Sequence, residues 1–236
     1  MGTPILISGV DSAAAARGRR DTAKPDVVYL HSAGGYRETD GLRLLADRFN
    51  ILAVELPGIG PEATAPGLAT LADYADDVDA VIAALDLDAY ALLGLSFGGA
   101  VALWFAVLHR SPALTRVALE SPAAFLSGRP RTAGPSGDRP HAYAVSAASD
   151  PTVLREGAAK LDLDVLVAFG TEDAKFPVET GRLYSERLPQ AFVTFVYQAG
   201  HAISVDRPDA FAELFGDFLD RGAVFQVEER SSLILA

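Results

Sequence analysis

Leu92-Leu93-Gly94-Leu95-Ser96-Phe97-Gly98-Gly99 sets a serine between two glycines, with a strand-like run before it and a helix-like run after it. Ala89 to Leu95 is continuously apolar, as a strand covered on both faces must be. Ala100 to His109 is apolar and compatible with a helix. A Gly-x-Ser-x-Gly at such a junction makes a turn so tight that larger residues at Gly94 and Gly98 would collide. The serine is then forced into a strained, exposed conformation at a helix N-terminus, where unpaired N–H groups favour developing negative charge. Glycine-rich strand-to-helix turns also serve nucleotide-binding folds, so the rest of the chain has to decide between the two.

The 236 residues suit one large α/β domain or two small ones, and half of them are hydrophobic, which fits a packed globule. A net charge of −11 provides no electrostatic footprint for nucleic acid or an anionic membrane. With no cysteine, disulfides, thiolate chemistry and cysteine metal sites are excluded. The start, Met1-Gly2-Thr3-Pro4-Ile5-Leu6-Ile7, has no basic region and too short an apolar run for a signal peptide. No apolar stretch approaches the ~20 residues of a membrane span. A cytoplasmic location is therefore expected. Lysine is scarce (Lys24, Lys160 and Lys175) beside abundant alanine, which suggests a GC-rich bacterial genome and bears on origin alone.

Outward from the serine turn, strands and helices alternate. Strand patterns cover Ile5 to Gly9, Ala13 to Gly18, Val27 to His31, Ile51 to Leu56, Leu114 to Leu119, Val165 to Phe169 and Phe192 to Tyr197. Helical spacing covers Asp40 to Phe49, Leu68 to Leu87 and Pro208 to Leu219. This alternation predicts a mostly parallel central sheet with helices on both faces, one domain spanning residues 1–236. One segment breaks the rhythm. Ser121 to Lys160 opens with the glycine- and proline-rich stretch Ser127 to Pro140, a loop with no core of its own, and Pro151 to Leu161 is helix-compatible. About forty residues make a short flap, not a second domain.

A serine hydroxyl becomes a nucleophile when a base takes its proton and a carboxylate orients that base. Of four histidines, His31 and His201 fall at the carboxyl ends of strands, where catalytic groups of open α/β sheets collect. Gly200 allows a sharp turn that swings His201 toward the serine. Asp173, in Gly170-Thr171-Glu172-Asp173, is the expected acid, with Glu172 as its fallback and Glu120 as a second candidate position. The plainer readings are a packing turn for Ser96, a loop residue for His201 and a helix cap for Asp173. His31 is read as structural, and His109 as a helix C-terminal residue favoured by the dipole. His141 is either solvated in the flap or a substrate contact, and Tyr36 either core or pocket wall. Asp73, Asp76, Asp77 and Asp79 are read as a solvated helix face without the loop spacing of a calcium site. The apolar tail, Val224 to Val227 and Leu233 to Leu235, either covers the fold or joins a homodimer.

Five landmarks fall in an order that resembles the α/β-hydrolase superfamily along nearly the whole chain. His31-Ser32-Ala33-Gly34-Gly35 resembles its HG-x-G loop, and Glu55-Leu56-Pro57-Gly58-Ile59-Gly60 its D-x-P-G-x-G turn. Gly94 to Gly98 matches the nucleophile elbow, Gly170 to Asp173 the acid loop and Gly200-His201 the catalytic histidine. The resemblance implies the α/β-hydrolase fold, a Ser96–His201–Asp173 triad and an oxyanion hole from the N–H groups of Phe97 and Ala33. Ser32 replaces the usual glycine after the histidine, Ile59 the common histidine of the PGxG turn, and the flap is far shorter than the usual cap. Ser32, Gly34, Tyr36 and His141 are the expected pocket residues.

These readings predict a serine hydrolase acting on a small-molecule acyl substrate (an ester, lactone or thioester), with neither metal nor organic cofactor. The alternatives are a C–C hydrolase, acyltransferase or cyclase on the same fold, or a ligand-binding protein that keeps the pocket without the chemistry.

Overall fold

A computed structural model describes residues 3–8, 15–59, 67–125 and 140–226. Its strands are β1 (Thr3–Ser8), β2 (Ala15–Arg20), β3 (Asp26–Leu30), β4 (Asn50–Glu55), β5 (Tyr90–Leu95), β6 (Leu114–Glu120), β7 (Val165–Gly170) and β8 (Ala191–Val196). They form one sheet in the order β1-β2-β4-β3-β5-β6-β7-β8. From β4 through β8 every pairing is parallel, while β2 runs antiparallel to both β1 and β4. This is the α/β-hydrolase fold, with the mostly parallel sheet that the sequence pattern predicts.

Side chains alternate across the sheet with period two. Val28, Leu30, Leu52, Val54, Leu92, Val117 and Leu119 join one apolar cluster with helices α2 (Leu71–Leu85) and α3 (Phe97–Leu108). Val27, Tyr29, Ala53, Leu93, Leu95, Ala118 and Leu166 join the other, with α1 (Asp40–Leu45), α7 (Ile203–Asp206) and α8 (Pro208–Arg221). Burial on both faces explains why these strands read as unbroken apolar runs. Helix α2 begins with a capping box in which Thr70 and Asp73 exchange side-chain and backbone hydrogen bonds. Asp73 is thus a cap and Asp77 is buried, which corrects the reading of the acidic run as a solvated face.

The segment between β6 and β7 contains more regular structure than its composition predicts. Beyond Asp150, α5 (Pro151–Ala158) matches the expected helix, but α4 (Pro140–Ala148) has no counterpart in the sequence pattern. Ala142, Val145, Leu154 and Ala158 are buried in the main cluster, so this half of the segment shares the core of the sheet. Helix α6 (Glu179–Arg187) and the short α7 also escape the sequence pattern, since neither carries a strong apolar stripe. Residues 60–66, the stretch 126–139 and the tail beyond Gln226 lie outside the described residues. Of the expected tail contact, Val224 to Gln226 belong to a 3₁₀ turn with Val224 exposed, and Val227 and Leu233 to Leu235 lie outside the described residues. Among the described residues, no helix is long and apolar enough to cross a membrane.

Candidate active site

The sheet order reverses between β3 and β5, and a crevice opens at the carboxyl ends of strands where such a reversal occurs. Ser96 stands at the end of β5, directly before α3, with φ 55° and ψ −108°. Three main-chain hydrogen bonds hold this strained turn: Ser96 N–H donates to Glu120 O, while Ala100 and Ala123 N–H donate to Ser96 O. A Cβ at Gly98 would lie 2.1 Å from the Leu30 carbonyl oxygen, so the helix can start beside β3 only with glycine there.

His201 Nε2 is 3.0 Å from Ser96 Oγ, and His201 Nδ1 is 2.9 Å from Asp173 Oδ2. The other Asp173 oxygen, Oδ1, accepts the N–H groups of Lys175 and Phe176. Asp173 therefore fills both of its sequence readings, turn cap and imidazole partner. Burial pushes its carboxyl upward, but the His201 bond and the two backbone donors outweigh burial and hold it below the ordinary carboxylate range. An ionised Asp173 fixes the Nδ1–H tautomer and leaves Nε2 free to accept the serine proton. Phe176 packs edge-on against the imidazole at 5.1 Å. The loops carrying Asp173 and His201 are laced together: Glu172 N–H donates to Ala199 O, and Gln198 N–H to Thr171 Oγ1. A Cβ at Gly170 would lie 2.1 Å from Ala199 O, which makes this close approach glycine-dependent. Glu172 itself is exposed and Glu120 does not meet the imidazole Nδ1, so neither takes the place of Asp173.

His31 serves the loop after β3. Its Nδ1–H donates to Ser32 O, and its Nε2 accepts the N–H of Leu56. Both bonds require the neutral ring, and burial lowers its pKa, reinforced by Arg17 against the pull of the Ser32 carbonyl. Ser32 to Gly35 closes a turn through Gly35 N–H to Ser32 O, and Ser32 Oγ accepts the Gly34 N–H. The hydroxyl that replaces the usual glycine is thus spent on the turn. Phe97, the first residue of α3, has an N–H with no intrahelical acceptor.

The other expected pocket residues have different partners. Tyr36 packs edge-on against Tyr29 and lies under the Arg17 guanidinium. His141 is half-buried, not solvated: its Nε2 meets the Tyr74 hydroxyl at 3.0 Å, and that hydroxyl donates to Pro57 O. Tyr74 in turn packs at a right angle on Phe97, 5.4 Å between centroids. Tyr184 is a site residue that the sequence pattern does not reveal. Its hydroxyl reaches the carbonyls of Pro122 and Ala124, clamping the loop that grips Ser96. Its only sequence signal is an aromatic residue in a helix that is polar apart from its neighbour Leu183. His109, at the end of α3, faces Asp76 and Asp79 of α2 at 3.1 and 3.6 Å, far along the helix from the serine. Among the described residues, no three His, Cys, Asp or Glu side chains converge as a metal site requires.

The family model for the alpha/beta hydrolase fold matches residues 25–139. No curated protein matches the sequence. Among solved structures, the chain is similar to a carboxylesterase from Bacillus subtilis, with 20% identity over 93% of this chain and 92% of that one, TM-score 0.71. It is similar to an esterase from a Rhodococcus species, with 24% identity over 93% and 99% of the two chains, TM-score 0.71. A hydrolase from Pseudomonas aeruginosa superposes with TM-score 0.74, at 23% identity over 92% and 98%.

Proposed function

We propose that this chain, which has the α/β-hydrolase fold and matches that family's model over residues 25–139, is a serine hydrolase of small carboxylic esters, lactones or thioesters. The observation that carries the proposal is the unbroken chain from Ser96 Oγ through His201 to Asp173, at 3.0 and 2.9 Å, on a serine held at φ 55°. In this reading His201 takes the Ser96 proton as Oγ attacks the acyl carbonyl. Asp173 stabilises the resulting imidazolium, which then protonates the leaving alcohol or thiol. The N–H groups of Phe97 and Ala33 receive the oxyanion, each such donor contributing about 3–4 kcal/mol to the barrier reduction in comparable sites. Water, deprotonated by His201, cleaves the acyl-enzyme and restores the serine. The esterase neighbours support an ester substrate, and the hydroxyl nucleophile requires no metal.

Hydrolysis of p-nitrophenyl acetate and butyrate by wild type and Ser96→Ala tests this reading. Turnover and fluorophosphonate labelling are both expected to vanish in Ser96→Ala. Undiminished turnover in the variant would overturn the assignment. Wild-type protein that is folded and labelled by the fluorophosphonate but inert toward esters would shift the chemistry to acyl transfer or C–C cleavage.

A further inference from the structure

Glu120 ends β6 with its side chain fully inside the protein, 0% exposed, although a carboxyl group is rarely left there without a task. Two hydrogen bonds tie it to opposite halves of the site. Its main-chain carbonyl accepts the Ser96 N–H at 2.9 Å. Its carboxyl oxygen Oε1 accepts the N–H of Ser204 at 2.8 Å, on α7, which starts two residues after His201. Oε2 has no hydrogen bond of good geometry, and the buried Ser204 hydroxyl is in the same position. The His201 loop is otherwise held by Asp206, whose Oδ2 accepts the Gly200 N–H, and by the acid loop.

We propose that Glu120 is a positioning residue that fixes the distance between the nucleophile and its base, one residue gripping Ser96 by the backbone and the His201 loop by the side chain. This rests on the serine-hydrolase reading above. The geometry gives the reason. Ser96 and His201 come from elements that do not pair with each other, and β6 lies between β5 and β7 in the sheet. A short apolar residue at position 120 would keep the Ser96 bond, since that is main chain, but would release the Ser204 N–H inside the core. The loop carrying His201 would then lose its inner anchor while Asp173 still held the ring. An unsatisfied buried donor is costly, so the loop would shift to satisfy it. Reactive geometry tolerates little displacement, and ångström-scale misplacement typically costs about a hundredfold in rate.

The same placement couples the anchor to pH. Burial raises the Glu120 carboxyl to about 7, with Ser204 and the Ile203 backbone pulling it back and the Asp206 carboxylate adding to the rise. The charged and titratable groups acting across it are Tyr29 on β3 and Asp206 on α7. As an anion it accepts strongly from Ser204. Once protonated its carbonyl oxygen still accepts, but more weakly, so the grip on the His201 loop loosens only in part.

Glu120→Ala, Glu120→Gln and Ser96→Ala, compared with wild type, test the inference. Glu120→Ala is expected to lower kcat at least tenfold with KM within twofold. Glu120→Gln retains an oxygen acceptor for Ser204 and is expected to restore kcat to within about threefold of wild type. In NMR titrations of the backbone amides, which need no substrate, the Ser204 amide of wild type is expected to shift as Glu120 titrates at about 7, a transition that Glu120→Gln is expected to abolish. Should Glu120→Ala not fold, the titration of Glu120→Gln carries the test. Wild-type kcat in Glu120→Ala, or a Ser204 amide transition that persists in Glu120→Gln, overturns the role of Glu120 while leaving Ser96→Ala inactive. Retained turnover in Ser96→Ala overturns the underlying serine reading instead.

Discussion

Asp173 spends both oxygens in different ways, and this decides what a single atom change does. Oδ1 caps the turn through Lys175 and Phe176, and Oδ2 orients His201. A carboxamide in place of this carboxylate can keep the turn with its carbonyl but presents an NH₂ to the imidazole, which selects the wrong tautomer. Asp173→Asn is therefore expected to retain its melting temperature within a few degrees. Its kcat on p-nitrophenyl butyrate should drop by about 10³–10⁴, as tautomer loss does elsewhere. His31 provides a pH signature of its own. Its folded pKa lies below the ordinary 6.5, so as pH falls the unfolded chain binds the proton first. This contribution to stability is complete above pH 6.5 and declines below it toward the lowered folded value. Melting of wild type against His31→Gln at pH 7.5 and 5.5 measures it. The wild-type advantage should shrink at the lower pH, and an advantage that stayed constant would show that the ring is not held neutral. Both residues are legible in the sequence as site residues because each follows or ends a strand. The division of labour between the two oxygens of Asp173 is not, since the turn and the imidazole compete for the same group only in three dimensions.

At the scale of elements, helix α2 connects the flap to the serine turn. Its Tyr74 is buried, as the apolar spacing of the helix requires, and packs on Phe97. The hydroxyl tip then links Pro57 and His141, while Ser149 at the end of α4 accepts the N–H of Leu71 at 2.7 Å. Helix α4 is thus pinned to the start of α2 at two points. Tyr74→Phe removes one pin and leaves the ring in place. The expected cost is about 1 kcal/mol of hydrogen bonding, read as a lower urea midpoint for Tyr74→Phe than for wild type. An unchanged midpoint would show that the Tyr74 hydroxyl adds nothing to the hold on α4. The ring of Tyr74 follows from helix periodicity, but its hydroxyl has no local signal. Helix α4 is hidden in the sequence for a related reason. Its residues, Pro140 to Ala148, are rich in alanine and follow a loop-like stretch, and their burial comes from α2 and not from a stripe of large apolar residues.

The whole molecule is a sheet with two apolar layers, and central strands carry most of the packing. Leu93 of β5 is fully buried beneath α1 and α8, while Leu44 is an exposed residue of α1. Leu93→Ala is expected to destabilise the protein by about 2–5 kcal/mol in urea unfolding, and Leu44→Ala by less than about 0.5 kcal/mol. Comparable losses would contradict the layered core. At this scale the sequence alone determined the fold class, the order of the strands along the chain and the positions of the serine turn and the two loops. Those are written in local sterics: continuous apolar runs, glycines where no Cβ fits, and period-two alternation. Tertiary structure alone decided which side chains meet. Asp173 and His201 are 28 residues apart and His201 and Ser96 are 105 apart, and each pair meets at hydrogen-bond distance because of sheet order. Glu120 is the sharpest case. In sequence it is an acid at the end of a strand, suited to partner the histidine ring. In the fold, β6 sits between β5 and β7, so its carboxyl points at the backbone behind His201, and Asp173 beyond β7 reaches the ring instead. That outcome depends on strand neighbours, and no window of consecutive residues encodes them.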